Sequence, residues 1–311
     1  MAQIRANGIT LEYDIAGPED GIPLILIMGF GAQMTSWPSS FRDGLVASGF
    51  RVVRFDNRDV GLSQKFSGIP DASAITRAMA AGQKPDVPYT LNDMAADAAG
   101  LLDALGIESA HIAGASMGGM IAQTFALNHP EKSRSLISIF STTSDPSLPR
   151  SSPEAQAALF EKPASGERAD VIAHTVKGRK AYASTRWPQD DAVVAELVGA
   201  SYDRSYYPEG TSRQWAAIVA TGPRTALLPK LRLPALVMHG TADYLIPWQA
   251  GQHTAALIPG SEFVLIDGWG HDIPAAGVPT LLDYITVFAS RVESHRSEAM
   301  SRPAAPGCGC T

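Results

Sequence analysis

The chain has 311 residues, 45% of them hydrophobic and 18% charged, a globular balance that leaves no room for dominant disorder. That length suits one large α/β domain carrying an insertion, or two small domains. A formal net charge of −6 and the lack of any Lys/Arg run argue against a nucleic-acid partner.

The first ten residues contain no apolar h-region, so no signal peptide is read. The longest apolar run, Ile22 to Phe30, falls far short of the roughly 18 to 20 residues that span a bilayer, and no membrane partner is expected. Both cysteines, Cys308 and Cys310, sit in the last four residues, leaving the body without thiols, which fits a reducing, cytoplasmic compartment.

In chain order, Ile9–Ile15 alternates apolar with polar and ends at Gly17-Pro18, as an antiparallel edge strand and its turn would. Leu24–Met28, Val52–Phe55, His111–Gly114, Leu136–Phe140, Ala235–Met238 and Phe263–Ile266 are nearly continuous apolar runs. Strands of a parallel sheet buried on both faces look like this. Between them, Leu91 to Leu105 repeats apolar residues at helical spacing, with Thr90 as N-cap and Gly106 as stop. Met117–His129 is a second helix, ended by Pro130.

The alternation breaks between about Thr142 and Leu231. Only helical patterns occur there, at Glu154–Phe160, Ala169–Val176, Ala192–Gly199 and Thr211–Thr221. A helical insertion of this kind is predicted to cap the C-terminal edge of the sheet, where open α/β sheets bind ligands. The expected division is a core of residues 1–141 and 232–294, a helical cap of 142–231 and a disordered tail of 295–311. The tail is polar and Pro/Gly-rich, and its Cys-Gly-Cys lacks the aliphatic pair of a prenylation box.

Gly114-Ala115-Ser116-Met117-Gly118 joins a buried-type strand to a helix, the context in which G-x-S-x-G marks a nucleophile elbow. Serine there favours acyl transfer, whereas aspartate would suggest epoxide or haloalkane hydrolysis. Of the seven histidines, His129, His174 and His253 lie in predicted helices, His111 begins a strand, His239 ends one and His295 is in the tail. Only His271 lies in a glycine-flanked loop just past a strand end, where a general base could reach Ser116. Asp243, in the loop after Ala235–Met238, completes the order Ser, Asp, His. Asp145 is the rival acid at another strand end, and Asp272 reads as solvated or as a loop acceptor.

Met28-Gly29-Phe30-Gly31 nominates the Phe30 N–H, with that of Met117, as the oxyanion donors. In Asp56–Ser63, Arg58 is expected to tie down a structural turn. Trp37, Trp187, Trp215 and Trp269, with Phe30 and Met117, are candidates to line an apolar substrate pocket, although each suits core or cap packing as well.

Together these strings resemble the α/β-hydrolase fold across roughly residues 3 to 294. The fold so implied is a mostly parallel central sheet flanked by helices, with a helical cap inserted before the last two strands. The Asn-Arg-Asp turn and Tyr206-Tyr207-Pro208-Glu209-Gly210 carry a narrower likeness to carboxylesterases of the aclacinomycin-methylesterase type. Many relatives carry His-Gly where this chain has Met28-Gly29. The resemblance implies hydrolysis of a small-molecule ester or lactone through an acyl-enzyme, with no metal or organic cofactor. The same triad also serves perhydrolases (haloperoxidases) and C–C bond hydrolases, and hydrolase folds have been turned into small-molecule receptors. Whether the chain forms a homo-oligomer is left open by the sequence.

Overall fold

The computed structural model describes residues 1–301, and side chains through Ala299. Eight strands form one sheet in the order β1-β2-β4-β3-β5-β6-β7-β8. They are β1 (Ala2–Ala6), β2 (Ile9–Ala16), β3 (Ile22–Ile27), β4 (Phe50–Phe55), β5 (Ala110–Ala115), β6 (Ser133–Ile139), β7 (Ala235–Gly240) and β8 (Glu262–Ile266). From β4 onward across the sheet every pairing is parallel, while β1 and β2 are antiparallel.

Strand β1 was not anticipated, yet its signal is present. Asn7-Gly8 is a two-residue link between Ala6 and Ile9, which pair directly. Both take positive φ, +47° at Asn7 and +77° at Gly8, as the tight primed hairpin turns require.

The unbroken apolar runs have a plain cause. Alternate residues of one strand enter different cores, Ile25, Ile27, Val53 and Phe55 on one face and Leu24, Leu26 and Val52 on the other. The first face is covered by α3 (Leu91–Ala104) and α4 (Met117–Asn128). Helix α3 starts as expected at Thr90, whose N–H donates to Asp93 Oδ2 at 2.7 Å. The second face is covered by α1 (Ser39–Ala47) and α10 (Val278–Ser301). Neither of these stood out in the sequence, nor did α2 (Ala72–Ala80). Helix α10 also runs on to Ser301, into the stretch expected to be disordered, while residues 302–311, with Cys308 and Cys310, lie outside the described residues.

Between β6 and β7 stand α5 (Pro153–Phe160), α6 (Arg168–Arg179), α7 (Asp191–Arg204) and α8 (Glu209–Thr221), the helical insertion read from the sequence. After β7, α9 (Gln249–Leu257) leads to β8. Among the described residues no helix is long and apolar enough to cross a membrane.

Candidate active site

The parallel strands all end on one side, and the loops there enclose a cavity of about 610 Å³ bordered by Ser116, His271, Phe30 and Met117. Ser116 sits between β5 and α4 with φ 57° and ψ −121°, a conformation costly for any residue with a Cβ and tolerated only where surroundings enforce it. Two glycines enforce it. A Cβ on Gly114 would come within 2.0 Å of Gly118 O, and one on Gly118 within 2.0 Å of Ile27 O. The elbow is therefore wedged between its own helix and β3. Gly29 lies just across from it, its missing Cβ leaving 3.0 Å to Ser116 Cβ.

His271 Nδ1 is 2.7 Å from Asp243 Oδ2. A carboxylate only accepts, so Nδ1 carries the proton and Nε2 is left as the basic nitrogen. Asp243 is held on all sides. Its Oδ1 accepts the Leu245 and Ile246 N–H groups at 3.0 and 2.8 Å, and His239 Nε2 is 3.2 Å from Oδ2. Burial pushes the Asp243 carboxyl up, but His271 and His239 together more than offset that, and its pKa lies below the ordinary value. Asp145, the rival, is engaged elsewhere, accepting from Ser147 and Thr225 at the surface.

The imidazole is packed as well as bonded. Phe140 lies against it with ring centroids 4.6 Å apart, and Tyr182 meets it edge-on at 6.2 Å. The His271 N–H donates to Tyr182 O at 2.7 Å, and the N–H groups of Thr185 and Arg186 both donate to Gly268 O at 2.9 Å. The link between α6 and α7 thus clamps the histidine loop. Sequence spacing could not reveal this, because the partners lie more than eighty positions apart.

A second clamp holds the Gly29–Gly31 loop. Gln214, fully buried on α8, accepts the Gly31 N–H at 2.8 Å and donates to Arg58 O at 2.9 Å. Asn57 Nδ2 donates to Met28 O at 2.8 Å. The Gly31 amide is thereby engaged, while Phe30, the donor expected from the sequence, borders the cavity beside Ser116. Met117, as the first residue of α4, has an N–H with no acceptor inside its own helix.

The Asp56–Ser63 turn is structural, as expected, and more heavily used than its sequence suggests. Arg58 makes a two-point contact with Asp97 at 2.6 and 2.7 Å. Asp59 accepts Arg213 at 2.8 and 3.0 Å and the Tyr89 hydroxyl at 2.6 Å. The Tyr206–Gly210 string belongs to this junction: Tyr207 Oη donates to Phe66 O at 2.8 Å, and Gly210 leaves room for Asp59 O.

Three of the four predicted tryptophans do not border the cavity. Trp37 is fully buried against Phe41, and Trp269 is fully buried with its indole N–H donated to Asp272 O at 2.8 Å. Trp187 packs over Gly277. Large aromatic surface gains most from complete burial, which the core supplies to Trp37 and Trp269, while Trp187 is partly buried against the same core. Trp215 does border the cavity, with Leu159, Phe160, Tyr182 and Arg179, none of which the sequence singled out.

Of the two readings open for Asp272, the structure favours the loop acceptor: it is buried, not solvated, and accepts the Ser184 N–H at 3.1 Å. Burial pushes its carboxyl up to about 6, against the pull of Arg179. The folded state therefore holds this proton more tightly than the unfolded chain does. Stability from this group is present below about pH 4 and declines as pH rises through about 6. Asp272→Asn keeps the acceptor and removes the charge. It should be more stable than the parent by on the order of 2 kcal/mol at pH 7.5 and nearly equal to it at pH 3.5. Urea unfolding at the two pH values checks this, and a difference independent of pH would count against it.

Comparison with known proteins agrees with this architecture. The family described as the alpha/beta hydrolase fold matches residues 22–275. Rhodomycin D methylesterase DauP of Streptomyces sp. strain C5 is 25% identical over 88% of this chain and 92% of its own length. Among solved structures, a thermophilic esterase from Thermogutta terrifontis superposes with a TM-score of 0.64 at 25% identity, covering 96% of this chain and 99% of that one. The enol-lactonase from Burkholderia xenovorans LB400 superposes with a TM-score of 0.69 at 22% identity, covering 93% and 100%, a likeness of fold.

Proposed function

The chain belongs to the α/β-hydrolase family, and from that premise we propose that it is a serine hydrolase cleaving a carboxylic ester or lactone of a small apolar compound. Ser116 Oγ attacks the carbonyl carbon while His271 Nε2 takes its proton. Asp243 keeps the imidazole in the required tautomer and offsets the charge it gains. The Phe30 and Met117 N–H groups receive the oxyanion, helped by the positive end of α4. His271 then protonates the leaving alkoxide, and water activated by the same imidazole clears the acyl-enzyme.

The observation that carries this reading is the 2.7 Å contact of His271 Nδ1 with Asp243 Oδ2, made while the imidazole and a strained Ser116 border one cavity. The methylesterase relative supports ester chemistry in particular.

The test is covalent. A fluorophosphonate probe should label the purified protein at Ser116, located by peptide mass spectrometry, and p-nitrophenyl esters should be turned over. Absence of labelling together with absence of turnover sinks the proposal. Running vinylogous diketones, and peroxide with acetate, beside the esters separates ester hydrolysis from C–C cleavage and perhydrolysis.

A further inference from the structure

The arginines at the junction of core and cap are all matched. Arg58 is on Asp97, Arg213 on Asp59, Arg204 on Asp56, and Arg224 on Gln123 Oε1 and Thr142 O. Arg179 differs. It ends α6 and borders the cavity with Ser116 and His271, and it is the one Lys or Arg to do so among the described residues. Its guanidinium makes no hydrogen bond, and no ion pair within 4.0 Å, among the described residues. Its charge still reaches inward, since it pulls on both the Asp272 carboxyl and the Tyr182 phenol.

A partly buried guanidinium in a cavity wall that also holds Phe30, Phe160, Trp215 and Ile218 has lost part of its hydration without gaining a hydrogen-bonded acceptor. A carboxylate on an occupant would restore them, because the planar fork of arginine fits a carboxylate with two parallel N–H···O bonds. Asp272, in the same wall, sets a limit on that charge. Its carboxylate disfavours a dianion such as a phosphate monoester more than a single carboxylate.

We propose that Arg179 is an anion subsite, and that the substrates are esters or lactones carrying a second, free carboxylate that Arg179 receives while Ser116 attacks the ester carbonyl. This rests on the serine-hydrolase reading for its chemistry, but not for its binding.

Two measurements separate the claims. The first compares monoethyl glutarate with ethyl pentanoate, matched in acyl length, as the ratio of their kcat/KM values. That ratio should favour the hemiester and fall roughly ten- to hundredfold in Arg179→Gln, with Arg179→Lys between, as expected for losing a charge-assisted pair. A ratio unchanged by Arg179→Gln overturns the subsite while leaving the hydrolase intact. The second is calorimetric binding of monoethyl glutarate to Ser116→Ala, with and without Arg179→Gln. Binding weakened by the second substitution supports the subsite even if the parent neither turns over an ester nor is labelled by the fluorophosphonate probe, the outcome that would sink the hydrolase reading alone. Equal binding by the two variants overturns the subsite.

Discussion

If Ser116 is the nucleophile proposed above, Ser116→Ala should lower kcat/KM for ester hydrolysis by roughly 10⁴- to 10⁶-fold, the cost found when a triad nucleophile is removed. The alanine retains a Cβ in the φ 57° conformation, so the local strain is unchanged and the melting temperature should move little. Loss of activity in this variant is therefore a loss of chemistry and not of fold. His271→Ala should cost about as much, and the double variant no more than either, because nucleophile and base act as one unit. What remains would come from cavity binding and the two backbone donors. Retention of more than about a tenth of parental kcat/KM by the folded Ser116→Ala protein excludes acyl transfer through this serine.

Asp59→Ala should destabilise the protein by about 3–5 kcal/mol, the usual result of stripping one partner from a buried ion pair. The side chains of Asp59 and Arg213 are 0% and 1% exposed. Removing the carboxylate leaves a guanidinium with no water to replace it, and also orphans the Tyr89 hydroxyl. Arg213→Leu in the same background should recover part of the loss by removing the stranded charge, so the cycle should report strong coupling. Urea denaturation of the four proteins gives that number. A loss below about 1 kcal/mol for Asp59→Ala means that the pair is solvated and contributes as a surface pair does.

This second variant should also lose activity beyond its loss of stability. Gln214 follows Arg213 on α8 and grips both Gly31 and Arg58. The Gly29–Gly31 loop is thereby held by the helical insertion as well as by the sheet. With the histidine loop clamped by the segment around Tyr182 to Arg186, the insertion is joined to both rims of the cavity. Tightness at those rims matters, since an oxyanion donor misplaced by an ångström gives up much of its effect.

Some of this was legible from the chain alone because it depends on neighbours in sequence. A continuous apolar run shows that a strand is buried on both faces. Glycines two positions either side of a serine mark a crowded strand-to-helix turn, and a histidine among glycines past a strand end marks a reaching loop. Local signals of that kind identified Ser116, Asp243 and His271 as candidates, and the insertion before β7. They also held one thing that went unread, the Asn7-Gly8 turn that makes β1.

Other features have no local signature, because the partner that gives them meaning is distant in the chain. A tryptophan has the same sequence appearance in a cavity wall as in a core. Only packing decided that Trp215 faces the cavity while Trp37, Trp187 and Trp269 fill other spaces. Aspartate next to histidine looks like a solvated loop residue until the link from α6 to α7 closes over it. Arg213 and Arg179 are both arginines on amphipathic helices, and the fold gave one a buried carboxylate and the other an open cavity. Short-range sterics and hydropathy determine which backbone forms. Which charge is matched, and which is left to meet a ligand, is decided by contacts between segments that only the folded chain brings together.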